Sequence, residues 1–189
     1  MIHMDTLRAL VTHVGKRLAH RNLLLVTAES CTGGGIAEAV TAIAGSSGWF
    51  DRGFVTYSNR SKQEMLGVSS ITLQVHGAVS EAVAREMATG ALMHSIAHIG
   101  VAVSGIAGPG GGTATKPVGM VCFAWTMNTR AMQTGDRKDP AVEDGLCRST
   151  TRYFMGDRED IRREAVVTAL EGVIEILGSV DISPRNRPN

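Results

Sequence analysis

A chain of 189 residues has the length of one domain and can bury a core without disulfide or metal staples. With 43% hydrophobic residues, 20% charged residues and a net charge of +1, it has neither the composition of a disordered chain nor the global field of a nucleic-acid binder. Its three cysteines (Cys31, Cys122, Cys147) are widely separated, the N-terminus has no signal-peptide pattern and no apolar run reaches membrane-spanning length, so a cytoplasmic domain is expected, without zinc site, disulfide framework or membrane segment.

Leu7, Leu10, Val11, Val14 and Leu18 recur at helical spacing and predict an amphipathic helix over about residues 4–20. A strand over Leu23–Ala28 follows, then a helix from about Gly34 to Ala44 and a loop at Gly45-Ser46-Ser47-Gly48. Phe54-Val55-Thr56-Tyr57 predicts a short strand. Ser58-Asn59 caps a helix running through Lys62 to Leu66, and Gly67 ends it. Ser80 opens the next helix, carried by Val83, Met87, Leu92 and Ile96. Ile99–Ser104 fits a strand buried on both faces, and the glycine loop Gly105–Gly112 leads into a strand over Val118–Trp125.

Residues 128–148 are polar and carry no period; Thr150–Phe154 is expected as a return strand, with an extended hairpin or mobile loop before it. Asp157 caps a last helix bearing Ile161, Ala165, Leu170 and Ile174. Strands alternating with helices predict a single three-layer α/β/α domain with a mostly parallel or mixed sheet, spanning residues 1–178, with 179–189 as a frayed tail.

Three segments can carry chemistry. Thr27-Ala28-Glu29-Ser30-Cys31-Thr32-Gly33-Gly34 lies where a strand turns into a helix, and unpaired N–H groups there suit a phosphate or an oxyanion. Tyr57 and Lys62 lie at the end of a second strand, and Ser104 opens the glycine loop at the end of a third. Ligand crevices in open α/β sheets lie outside the carboxyl ends of strands, so the three segments can meet in one crevice.

Serine needs a base to become a nucleophile. His13, His20, His94 and His98 fall on predicted helices away from the strand ends, whereas His76, in a loop before a helix cap, is a candidate to touch substrate. Lys62, near a helix start, is the better base, because the helix dipole and partial burial both disfavour its charge. Its structural alternative is a solvated helix lysine, with Tyr57 a core residue with a wet tip. Cys31 competes with Ser30, and spacing does not separate them. The loop Gly105–Gly112 fits neither the P-loop nor the dinucleotide fingerprint.

In their order, the segments from Thr27 to Gly34, Gly45 to Phe50, Gly53 to Asn59 with Lys62, His76 to Ser80, Ser104 to Pro109, Lys116 to Gly119 and Gly156-Asp157-Arg158 resemble the CinA C-terminal-domain family, over roughly residues 5–177. Stand-alone members of that family are nicotinamide-nucleotide amidohydrolases. The resemblance implies hydrolysis of the carboxamide of nicotinamide mononucleotide to nicotinic acid mononucleotide and ammonia, in pyridine nucleotide recycling. It places the nucleophile on Ser30, with Tyr57 and Lys62 completing a Ser/Tyr/Lys group, and implies no metal or organic cofactor.

On that basis the backbone around Thr32, Gly33 and Gly34 is expected to hold the oxyanion. Ser46, Ser47, the backbone of Gly105–Gly111 (Gly105 and Gly108 included) and Lys116 are candidates for the 5′-phosphate, with Ser104 beside them. The expected partner is a small nucleotide, neither nucleic acid nor membrane, and a homo-oligomer is compatible with it. The stretch 128–148 is longer than the family's usual strand-to-strand turn, and the nucleotide-binding domain that precedes this one in longer members is absent. The alternatives are a non-catalytic module that binds ADP-ribose or a mononucleotide and, less supported, a Tyr/Lys oxidoreductase, which lacks its dinucleotide fingerprint here.

Overall fold

The computed structural model describes residues 4–129 and 146–179. Five strands in that span form one sheet: β1 (Leu25–Glu29), β2 (Phe50–Val55), β3 (Ile99–Gly105), β4 (Met120–Met127) and β5 (Leu146–Tyr153), in the spatial order β2–β1–β3–β4–β5. β1 pairs in parallel with β2 and β3, whereas β3–β4 and β4–β5 are antiparallel. The helices are α1 (Met4–His20), α2 (Gly35–Thr41), α3 (Asn59–Leu66), α4 (Ser70–His76), α5 (Glu81–Met93) and α6 (Arg158–Gly178).

β1 and β3 are buried almost throughout because both of their faces are covered. On one face Val14, Leu18, Ile36, Leu170 and Ile176, from α1, α2 and α6, pack with Val101, Val103 and Phe123. On the other, Leu66, Leu73, Val83 and Met87, from α3, α4 and α5, pack with Val26, Ala28, Ala102 and Ala124. Each fully buried aliphatic side chain contributes about 1.5–3 kcal/mol by leaving water. The expected three-layer α/β/α domain is the fold observed, and its sheet is mixed.

Trp125 fixes how close α6 can come. Its indole stacks on Phe123 with centroids 5.7 Å apart and donates to the Ala169 carbonyl at 2.8 Å. A Cβ on Gly172 would fall 2.1 Å from that ring, so this helix position accepts only glycine.

Three local expectations are corrected. β2 runs over Phe50–Val55, which leaves Thr56 and Tyr57 beyond the strand, where they serve the crevice. The stretch before Ser80 contains α4, capped by the Ser69 side chain. A seven-residue helix that buries only Leu73 is too short to show an apolar period. β5 begins at Leu146, four residues before the expected Thr150, because the strand is half exposed and its Cys147-Arg148-Ser149 segment reads as polar. Most of the aperiodic stretch, residues 130–145, and the tail from residue 180 onward lie outside the described residues.

Candidate active site

The chain leaves β1 for β2 on one side and comes back to β3 on the other, so the strand order changes direction at β1. That is where a crevice opens in such sheets. Ser30, the first residue past β1, donates its N–H to Val103 O at 3.0 Å, and Thr56 N donates to Glu29 O at 2.8 Å. The carboxyl ends of β1, β2 and β3 are thereby tied together around Ser30.

Ser58 and Ser61 form a capping box that fixes the start of α3. Lys62 is then turned toward the sheet and is only 1% exposed. Its Nζ donates to Ser30 Oγ at 2.9 Å and to Thr56 O at 2.7 Å. Burial lowers its pKa from the ordinary 10.5 to about 8, against a smaller opposing influence of Cys31. A lysine so placed is neutral in a useful fraction of molecules near neutral pH, which a general base requires.

Cys31 is buried under the same turn, and burial pushes its thiol up to about 12. The N–H groups of Cys31 and Thr32 favour the thiolate, but too little to offset desolvation. The thiolate is the nucleophilic form of cysteine, so burial works against Cys31 in that role. Spacing left Ser30 and Cys31 unresolved; in the fold it is Ser30 Oγ that meets Lys62 Nζ.

Past Ser30 the turn differs from expectation. Gly33 N donates to Ser30 O at 3.0 Å, and Gly34 N to Glu29 Oε2 at 3.1 Å. Neither N–H is available to an oxyanion. Glu29 also accepts from Ile36 N at 3.0 Å, Ala37 N at 2.9 Å and the Thr27 hydroxyl at 3.2 Å. Thr32 does not line the Ser30 cleft; it faces a separate groove between α1, α2 and α6. Among the described residues, no oxygen accepts from the backbone N–H groups of Cys31 and Thr32.

The cleft above Ser30 has a volume of about 280 Å³ and is lined by Ser30, Cys31, Tyr57, Asn59, Lys62, Ala78, Val79, Ser104, the loop Gly105–Gly108 with Gly110 and Gly111, and Arg158. Ser104 and Gly105 form part of the wall, with Ser104 Oγ donating to Ala78 O at 2.7 Å. Tyr57 stands at the mouth, 63% exposed, and its hydroxyl accepts from Arg158 Nη2 at 2.9 Å. Among the described residues it makes no hydrogen bond with Lys62 or Ser30, so the expected relay position is not the one it occupies. A residue just past a strand end, rather than within it, swings outward to the rim.

Other candidates are redistributed. Lys116 donates from Nζ to Val79 O at 2.8 Å and to His76 O, so it clamps the segment behind the cleft. Ser46 and Ser47 form a short turn after α2 and before β2, at the amino end of the parallel strands and therefore on the edge opposite the cleft. His76 ends α4 and is exposed outside the lining. Arg158, which the sequence offered only within the segment Gly156-Asp157-Arg158, is the guanidinium in the lining and also donates to Gly108 O at 2.7 Å. Its signal was local: the capping box at Asp157 makes Arg158 the first residue of α6, beside the turn at Gly156. No group of three or more His, Cys, Asp or Glu is placed to hold a metal ion among the described residues, and no helix among them is long and apolar enough to cross a membrane.

Comparison with known proteins gives the family. The chain is 44% identical over 173 residues to nicotinamide-nucleotide amidohydrolase PncC of Pseudomonas putida, covering 92% of this chain and 98% of that one. It is 48% identical over 165 residues to the Escherichia coli K12 protein of the same name, covering 87% and 91%. The crystal structure of competence/damage inducible protein CihA from Agrobacterium tumefaciens superposes with a TM-score of 0.79 at 45% identity, covering 91% of this chain and 95% of that one. Residues 7–139 match the CinA C-terminal domain, and the chain is a member of that family.

Proposed function

We propose that this chain is a nicotinamide-nucleotide amidohydrolase that converts nicotinamide mononucleotide and water to nicotinic acid mononucleotide and ammonia, through an ester on Ser30. The observation that carries the proposal is the 2.9 Å contact between Lys62 Nζ and Ser30 Oγ, made by a buried amine with a pKa of about 8. The names of the relatives supply the substrate.

In this mechanism neutral Lys62, held by its N–H to the Thr56 carbonyl, takes the Ser30 hydroxyl proton as Oγ attacks the carboxamide carbon. The oxyanion is held by the N–H of Cys31, a donor of this kind contributing roughly 3–4 kcal/mol. The C–N bond breaks as Lys62 returns the proton to the leaving nitrogen, which departs as ammonia. Water, deprotonated by Lys62, then cleaves the ester, and Ser30 recovers its proton. Arg158 and the backbone of the glycine loop receive the 5′-phosphate at the mouth, and Tyr57 holds Arg158 in place. The test is ammonia release from nicotinamide mononucleotide by the purified protein and its loss in Ser30→Ala. Binding without turnover would replace the enzyme with a nucleotide-binding module.

A further inference from the structure

We infer that Glu29 is a positioning residue that aims the Ser30 turn at the substrate and keeps anions away from the start of α2; this rests on the amidohydrolase reading above. Glu29 ends β1 and is fully buried. Its Oε2 accepts from Gly34 N and Ile36 N, and its Oε1 from Ala37 N and the Thr27 hydroxyl. All four partners are donors, and three are backbone N–H groups at the beginning of α2, the place where a helix ordinarily offers itself to a bound phosphate or oxyanion. Here the chain fills that place with its own carboxylate.

Two consequences follow for the site. The residues between Glu29 and Gly34 form a short bridge pinned at both ends: one end continues from β1, and the other returns to the Glu29 side chain through Gly34 N. Gly33 and Gly34, at φ +62° and +98°, let the backbone reverse tightly enough to close it. Ser30 and Cys31 ride on this bridge, so the carboxylate sets the direction of the nucleophile and of the Cys31 N–H together. At the start of α2 the carboxylate takes the N–H groups that a bound phosphate would use, whereas Arg158 at the mouth offers its guanidinium to one. The substrate therefore enters with its uncharged carboxamide toward Ser30 and its phosphate toward Arg158.

Glu29→Gln tests this directly. The amide keeps the shape but turns an NH2 toward either Gly34 and Ile36 or Ala37, setting donor against donor. The expected result is a kcat at least 30-fold lower, a KM within threefold of the parent and an unmoved pH midpoint near 8, with Glu29→Asp recovering to within about tenfold of the parent kcat. A Gln variant within threefold of the parent kcat, a change confined to KM, or a shifted pH midpoint would overturn the inference. If Glu29→Gln fails to fold, Glu29→Asp decides by the same kcat-against-KM criterion, and failure of both to fold reduces Glu29 to a stability residue and also overturns it. If the parent releases no ammonia, the activity reading fails on its own. The positioning role is then measured by the rate at which a sulfonyl fluoride sulfonylates Ser30, with loss of fluoride: at least tenfold slower in Glu29→Gln sustains it, and equal rates refute it.

Discussion

Arg158 and Tyr57 meet across the mouth of the cleft, the guanidinium Nη2 donating to the phenol oxygen at 2.9 Å, while Nη1 is anchored on the Gly108 carbonyl at 2.7 Å. The cation is thus oriented before any ligand arrives, with its remaining donors free to meet a phosphate. Charge-assisted hydrogen bonds contribute about 1.5–3 kcal/mol, so Arg158→Met should raise KM for nicotinamide mononucleotide about 10- to 100-fold. Nicotinamide riboside, which lacks the phosphate, should lose less than threefold in kcat/KM. An equal loss on both compounds would remove Arg158 from phosphate binding. Tyr57→Phe should cost about three- to tenfold in KM alone; a fall in kcat above 100-fold would return the tyrosine to proton transfer.

Ser30 and Cys31 are neighbours with opposite expected fates. Ser30→Ala should lower kcat at least 10³-fold, the usual scale for losing a nucleophile that acts as a unit with its base. Cys31→Ala should retain kcat within about fivefold, because the thiol is buried and its pKa is pushed up to about 12. Native protein treated with a maleimide should modify the exposed Cys147 and spare the buried Cys31 and Cys122. Protection of activity by Ser30 but dependence on Cys31 would reverse the assignment.

Lys116 should behave as a structural clamp. Its ammonium satisfies the carbonyls of His76 and Val79, and Val79 lines the cleft. Lys116→Met should lower stability by about 1–2 kcal/mol, seen as a reduced denaturation midpoint in urea, because two carbonyls lose their donor. KM should stay within threefold if the phosphate sits at Arg158. A tenfold rise in KM at unchanged stability would instead make Lys116 a phosphate ligand.

The parts of this site that sequence exposed are those set by local rules. The buried run before Ser30, the cap at Ser58 and the stop at Gly67 placed Lys62 on the correct helix. The four-residue offset from Ser58 then turned it inward. What could not be read depends on where the chain returns in space. Ser46 and Ser47 lie close to Ser30 in sequence but on the far edge of the sheet, because a crossover helix carries the chain back to the amino ends of the strands. Glu29 is one letter of the Thr27–Gly34 segment in sequence; only the approach of Gly34, Ile36 and Ala37 shows that it caps α2 from the preceding strand. A local rule makes Arg158 the first residue of α6, but its reach to Tyr57 and Gly108 depends on where that helix packs.

Lys62 links activity and stability through one proton. As a base it must be neutral, so kcat/KM should rise with pH to a plateau with a midpoint near 8, and Lys62→Met should be at least 10³-fold slower with no such rise. Stability changes with pH in the same direction. Burial holds the folded pKa near 8, below the ordinary 10.5, so between those values the folded chain binds fewer protons than the unfolded chain and stability increases with pH. Below pH 8 the amine is charged in both states and its desolvation cost is fully present. Removing it should therefore stabilise the protein at pH 7 by about 1–2 kcal/mol: the shift is worth roughly 3 kcal/mol, offset in part by leaving the Thr56 carbonyl without its donor. Urea denaturation of parent and Lys62→Met at pH 7, 8.5 and 10 measures this directly. The advantage of the variant should shrink steadily as pH rises, and a variant less stable than the parent at pH 7 would show that the buried amine carries no desolvation cost and is no poised base.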